Sequence, residues 1–207
     1  KLPGFGAMGE FRPVMWDATG QPQELWSDQD FGGIPAAINN QGFVVGRYGS
    51  GTVPPLPSGG IPDGGAFIWD PATRQFMDLG DLGGQRVEAT GINDARQVSG
   101  SSEALLFVLD DEGNFQLTIQ DRAFIWDVDN GMRDLGTLGG NFSRGTGINS
   151  AGHVVGWSED SNGSEKAFIW SDTDGMRPLD GLESARAMAI NEFGQIVGIE
   201  WRTDGLG

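Results

Sequence analysis

The sequence predicts an all-β fold, a β-propeller-like array of four four-stranded modules, and three observations carry that expectation. First, Ala66-Phe67-Ile68-Trp69 returns as Ala123-Phe124-Ile125-Trp126 and Ala167-Phe168-Ile169-Trp170, with Pro13-Val14-Met15-Trp16 as a looser copy. Second, each copy is followed by an Ile-Asn pair, at Ile38-Asn39, Ile92-Asn93, Ile148-Asn149 and Ile190-Asn191. The Trp-to-Asn separations are 23, 24, 23 and 21 residues, whereas Trp-to-Trp separations vary as 53, 57 and 44. Variation therefore falls between modules, where surface loops accept insertions. Third, no window sustains a 3.6-residue apolar period.

One repeat domain spans 1–207, with modules at approximately 9–64, 65–121, 122–165 and 166–207. The third module shows the strand pattern best: Ala123–Trp126, Met132–Leu135, Thr146–Asn149 and His153–Ser158. A Gly/Asp/Asn turn, Asp127–Gly131, joins the first two as a hairpin. The connection Gly136-Thr137-Leu138-Gly139-Gly140 follows, matched in the second module by Gly80-Asp81-Leu82-Gly83-Gly84. Asn149-Ser150-Ala151-Gly152 is then a tight turn, since Asn bonds its own turn backbone and Gly takes positive φ. Asn39…Gly42 and Asn191…Gly194 repeat it, but Asn93-Asp94-Ala95-Arg96 lacks the glycine and should be strained or of another type. Strands ending in Val-Val-Gly at 44–46 and 154–156, Val-Ser-Gly at 98–100 and Ile-Val-Gly at 196–198 suit the region where blades converge. The repeated Trp strands should pack between neighbouring blades, where a large ring fills the gap.

Two departures stand out. Leu105–Leu109 and Phe115–Ile119 read as an extra hairpin within Ser102–Arg122, and Val53–Gly65 reads as a Pro/Gly-rich extended loop. Four modules give about sixteen strands. A closed four-bladed ring, an arc of a larger ring, and an open β-repeat stack completed by neighbouring chains all satisfy the count.

Composition excludes several classes. Thirteen Lys+Arg against 29 Asp+Glu give a net charge of −16, the wrong sign for a nucleic-acid partner. No stretch approaches the roughly 20 apolar residues of a membrane-inserted helix. With 35 Gly and 10 Pro the backbone is turn-rich, yet 38% hydrophobic content with seven Trp and twelve Phe is too apolar for a disordered tail. Cysteine is absent, so disulfides, thiolate nucleophiles and Cys-ligated metals are excluded together. A chain opening on Lys1 reads as a processed or excised segment of a longer precursor.

The repeated Ala-Phe-Ile-Trp, Asp134-Leu135-Gly136-Thr137-Leu138-Gly139-Gly140, and Gly147-Ile148-Asn149 leading to Gly152-His153-Val154-Val155-Gly156-Trp157-Ser158 together resemble the HAF family of probable extracellular repeats. The resemblance runs from about Phe11 to Trp201. At the family's initial His this chain has Gly65, Arg122 and Lys166. What the resemblance implies is secretion or surface exposure in microbes; it carries no catalytic residues across.

Chemistry is sparse, and no catalytic, cofactor-binding or metal residues are assigned. The lone His153 occupies a strand position filled elsewhere by Phe43, Gln97 and Gln195, which fits a solvated residue better than a base. No phosphate-binding Gly-Lys-Ser/Thr loop occurs, and the glycine-rich segments precede strands. Among 29 acids, a carboxylate pair at glycosidase spacing is expected by chance, so the acids read as a solubilising surface. Calcium is the one cofactor with a local signal: Asp127-Val128-Asp129-Asn130-Gly131 and Asp172-Thr173-Asp174-Gly175 imitate the opening of a Ca²⁺ loop. Their twelfth positions hold Leu138 and Glu183, and the turn reading is preferred. Asn141-Phe142-Ser143 and Asn162-Gly163-Ser164 match the glycosylation sequon. Trp26, Trp157 and Trp201 lie outside the repeated position and would serve as core packing or as sugar-stacking platforms.

The expected function is therefore non-enzymatic: an extracellular structural protein, a surface-layer or filament subunit, self-associating through open β-edges. Lys1–Met8 is a candidate donor strand. The alternative is an extracellular module binding a glycan or protein partner, with Ca²⁺ in support; a polysaccharide-active enzyme ranks third.

Overall fold

A computed structural model describes residues 13–25, 33–49, 64–109 and 112–202. The proposed donor segment Lys1–Met8, Trp26 and nearly all of the Val53–Gly65 loop lie outside the described residues. Among those described there are sixteen strands and no helix.

Three four-stranded antiparallel sheets follow one another. The first holds β3 (Gly33–Ile38), β4 (Val44–Gly49), β5 (Gly64–Asp70) and β6 (Gln75–Asp78). The second holds β7 (Gly83–Ile92), β8 (Val98–Leu109), β9 (Phe115–Asp127) and β10 (Gly131–Asp134). The third holds β11 (Gly139–Ile148), β12 (Val154–Asp160), β13 (Glu165–Ser171) and β14 (Gly175–Pro178). In each, strands pair with their sequence neighbours, the meander of a propeller blade. A two-stranded half-sheet stands at either end: β1 (Val14–Trp16) with β2 (Pro22–Glu24), and β15 (Ala185–Ile190) with β16 (Ile196–Glu200).

The sequence period is right but its phase differs from that of the sheets. The four β signals of the third module split between two sheets, the Trp strand β9 and β10 closing one while β11 and β12 open the next. Each sequence module thus straddles a sheet boundary. The extra hairpin is also not a separate element. It is the outward continuation of β8 and β9, paired without interruption from Val98↔Trp126 to Leu109↔Phe115.

Period-two alternation explains why the repeated unit is Ala-Phe-Ile-Trp. Phe124 and Trp126 face the first sheet, packing with Val45, Ala66 and Ile68. Ala123 and Ile125 face the third sheet, packing with Phe168 and Trp170. Each sheet therefore presents an aromatic face backwards and a small aliphatic face forwards, and the two interlock. Stacking is directional, and the Trp rings at 69, 126 and 170 are buried between sheets as expected.

The Val-Val-Gly glycines have a sharper cause than convergence of the blades. The first strand of every inner pair carries an irregularity, between Pro35/Ala37, Ala89/Gly91, Gly145/Gly147 and Ala187/Ala189. At these bulges the partner carbonyl crowds the second strand. A Cβ on Gly46, Gly100, Gly156 or Gly198 would overlap the carbonyl oxygen of Ile34, Glu88, Arg144 or Arg186 respectively. On Gly156 it would also stand 2.9 Å from the Phe168 ring.

The Asn93 turn keeps the type of its relatives. Arg96 N–H donates to Asn93 O at 3.0 Å, as Gly42 does to Asn39 O at 3.1 Å. Arg96 takes φ of +60°, so the strained alternative holds. A left-handed non-glycine residue costs roughly 1–2 kcal/mol, and stacking of the guanidinium over Phe43 at 5.4 Å returns part of it. Arg96→Gly is therefore expected to raise unfolding free energy by about 0.5–1 kcal/mol, read as a higher denaturant midpoint at unchanged slope.

Candidate functional site: an asparagine ladder and two open sheet ends

The four repeated asparagines do more than shape turns. Each Oδ1 accepts backbone N–H groups of its own turn, from Phe43 (3.0 Å), Gln97 (2.9 Å), His153 (3.0 Å) and Gln195 (2.9 Å). Each Nδ2 then has protons to spare. Asn39 Nδ2 donates to Asn93 O at 3.0 Å, Asn93 Nδ2 to Asn149 O at 3.0 Å, and Asn149 Nδ2 to Asn191 O at 3.4 Å. A ladder of amides thus crosses all the sheet boundaries from β3 to β15. Asn39, Asn93 and Asn149 are buried, so the first two rungs are shielded from water and the third is half-buried. At the far end Asn191 Nδ2 turns to Gln195 Oε1 at 2.7 Å.

Two further layers run beside it. Bulged Thr90 and Thr146 donate to Gly145 O (3.1 Å) and Ala187 O (2.9 Å) of the next sheet. Beyond the turns, Asp94 accepts from Asn40 N and Nδ2, and Glu192 accepts from Ser150 N and Oγ. On the opposite side ion pairs link the sheets: Arg47–Glu88, Arg144–Asp121 and Arg186–Glu165. Arg186 lies between Trp157 and Trp201, 4.4 and 5.0 Å from the ring centroids, and its pKa is raised by hydrogen bonding to Glu165. These two tryptophans are thus engaged with a cation on the protein itself.

The acids of the calcium-like loops serve a turn cap and an ion pair. Asp127 Oδ1 accepts from Asp129 N, Asn130 N and Asn130 Nδ2 at 2.9–3.1 Å. Asp172 pairs with Arg133 at 2.8 Å. Among the described residues no three His, Cys, Asp or Glu side chains converge on a point where a metal could sit. His153 is half-buried, with its backbone N–H held by Asn149. Asn141 and Asn162, the sequon asparagines, are exposed.

Several carboxylates titrate low because hydrogen bonds favour their charged form. In Asp17 the Thr19 hydroxyl is the main cause, in Asp70 the Ala72 N–H, in Asp160 the Ser164 N–H, and in Glu192 the Ser150 hydroxyl. A depressed folded-state value stabilises above the unfolded value, 3.8 for Asp and 4.5 for Glu, and is lost as pH falls through the folded value. Stability measured against pH should therefore drop below pH 4.5 more shallowly for Glu192→Gln than for the parent. Both proteins share the same general charge repulsion, so the difference in slope isolates this group.

The ends of the stack are where the repeat breaks its own burial rule. Trp69, Trp126 and Trp170 are 3%, 6% and 8% exposed, but Trp16 at the same position is 63% exposed. Val45 and Val155 are fully buried, but Val197 is 64% exposed. Ile38 is exposed where Ile92 is buried. Between β1 and β3 lies an apolar cleft of about 340 Å³, lined by Met15, Trp16, Ala37 and Ile38 among others.

A third apolar surface is the projecting β8–β9 arm. Leu105↔Ile119, Phe107↔Leu117 and Leu109↔Phe115 pair directly, placing six exposed side chains on one face. The alternation is visible in the sequence, but a hairpin with an unpacked face is an expected shape only once the structure shows it clear of the sheets. Phe107→Ser with Phe115→Ser should move the melting temperature by less than about 2 °C while lowering binding of a hydrophobic dye.

No family model matches the chain, and no curated protein matches it significantly. The crystal structure of TolB from Acinetobacter baumannii superposes with a TM-score of 0.52 at 19% identity, covering 84% of this chain and 40% of that one. The present chain thus spans less than half of its structural neighbour. This likeness concerns fold alone, and with the sheet order it makes the chain an all-β array of propeller-like modules.

Proposed function

We propose that this protein is a non-enzymatic extracellular structural element that self-associates through its open sheet ends. One observation carries the reading: positions buried in every internal sheet are exposed at the two terminal half-sheets. An unpaired strand edge flanked by exposed apolar side chains is a template for another strand. Resemblance to the HAF repeats supports a secreted or surface location. No cofactor is required by this reading.

With a net charge of −16, copies repel one another at long range, and salt screens that repulsion. Sedimentation velocity should show mass rising with protein concentration and rising further in 0.5 M salt, with electron microscopy showing oligomers or fibres. A monodisperse monomer at high concentration in that salt would contradict the proposal.

The exposed arm favours a second reading, in which a protein partner docks on the six-residue apolar face. Arm variants that abolish association, with the sheet ends intact, would move the function there.

A further inference from the structure

We infer that the partner at the open ends is a second copy of this chain, whose β1–β2 hairpin completes the β15–β16 half-sheet in a defined register. This deepens the self-association proposed above and rests on it. In the three full sheets the second and third strands pair alike: Val44↔Trp69, Val98↔Trp126 and Val154↔Trp170. Among the described residues β16 stands as a second strand with no third beside it, and β1 as a third strand with no second. The same register sets Ile196 opposite Trp16 and Val197 opposite Met15 of the next copy.

Both faces of the resulting sheet agree with the packing already present. Ile196 packs on the core that holds Val155 and Ala167, so Trp16 of the second copy would join it there, as Trp170 joins Val154. Met15 already packs towards β4 and β5, so Val197 beside it would fill the apolar cleft and cover Ile38. The polar layer continues too. Asn191 Nδ2, turned to Gln195 in this structure, would meet the Asn39 carbonyl of the second copy and extend the ladder by one rung. Among the described residues β1 and β16 belong to separate two-stranded sheets.

Absence of cysteine makes the test clean. Met15→Cys and Val197→Cys are made as separate proteins, mixed and oxidised, and combined in one chain for comparison. Ile196→Cys with Trp16→Cys is the second pair, because neighbouring antiparallel pairs alternate between close and wide spacing. Expected are a disulfide heterodimer from mixed single variants and a ladder of multimers from the double variant. Val197→Cys with Trp16→Cys, one residue out of register, should cross-link at least about fivefold less. Association by sedimentation without cross-linking of either pair would overturn this inference and leave self-association standing. A cross-link confined within single chains, or neither association nor cross-link, would overturn both.

Discussion

Gly156→Ala is expected to lower unfolding free energy by about 3 kcal/mol or more. The added Cβ has nowhere to go. It would overlap the Arg144 carbonyl oxygen and press on the fully buried Phe168 ring. Neither neighbour is the free end of a flexible side chain. The carbonyl is fixed by the β11 bulge, and Phe168 is wedged between the second and third sheets. Gly100→Ala repeats the test against Glu88 O and Phe124. Gly163→Ala serves as the contrast, since a Cβ there meets nothing within 4 Å and only its φ of +77° is penalised. Chemical denaturation should rank the first two far above the third. If all three cost about the same, crowding at the bulges is not what requires glycine.

Asn93→Ala should cost about 2–4 kcal/mol, because it removes two roles at once. Oδ1 holds the Gln97 N–H of its own turn, and Nδ2 holds Asn149 O of the next sheet. Asn93→Asp separates the roles, since it keeps the acceptor and loses the donor. Its carboxylate would then face the Asn149 carbonyl in a buried setting, so it should be no more stable than the alanine variant. The corresponding loss at Asn191 should be smaller, about 1 kcal/mol, because that residue is exposed and its amide bonds only within its own turn, to Phe193 N–H and Gln195. A ladder that holds the sheets together predicts this inside-to-end gradient. Equal costs at both positions would reduce the asparagines to turn formers.

Much of the architecture is legible in the sequence, and the parts that are not share one cause. The period of the modules, the strand count, the burial of the Trp strands and the Asn turns all follow from local patterns. The phase of the sheets does not, because Ala-Phe-Ile-Trp is the most recognisable strand but the third of its sheet. Hydrogen-bond boundaries leave no composition mark of their own. Trp16 looks like Trp69 in sequence, yet burial at this position needs a sheet packed against it, and among the described residues Trp16 stays exposed. The ladder was half visible. Asn stands in all four turns even where glycine gives way to Arg96, which points to a duty beyond the turn. Its direction depends on the stacking offset between sheets, which is tertiary information. The same holds for Gly46, Gly100, Gly156 and Gly198, since the carbonyls that exclude a Cβ come from bulges on another strand.

Hydrogen exchange followed strand by strand, in dilute and in concentrated protein, tests the open-ended stack most directly. Amides of β1 and β16 are expected to exchange fast when dilute and to become protected on concentration, while those of β8 and β12 are protected throughout. Protection at β1 and β16 that does not change with concentration would contradict the open-ended stack.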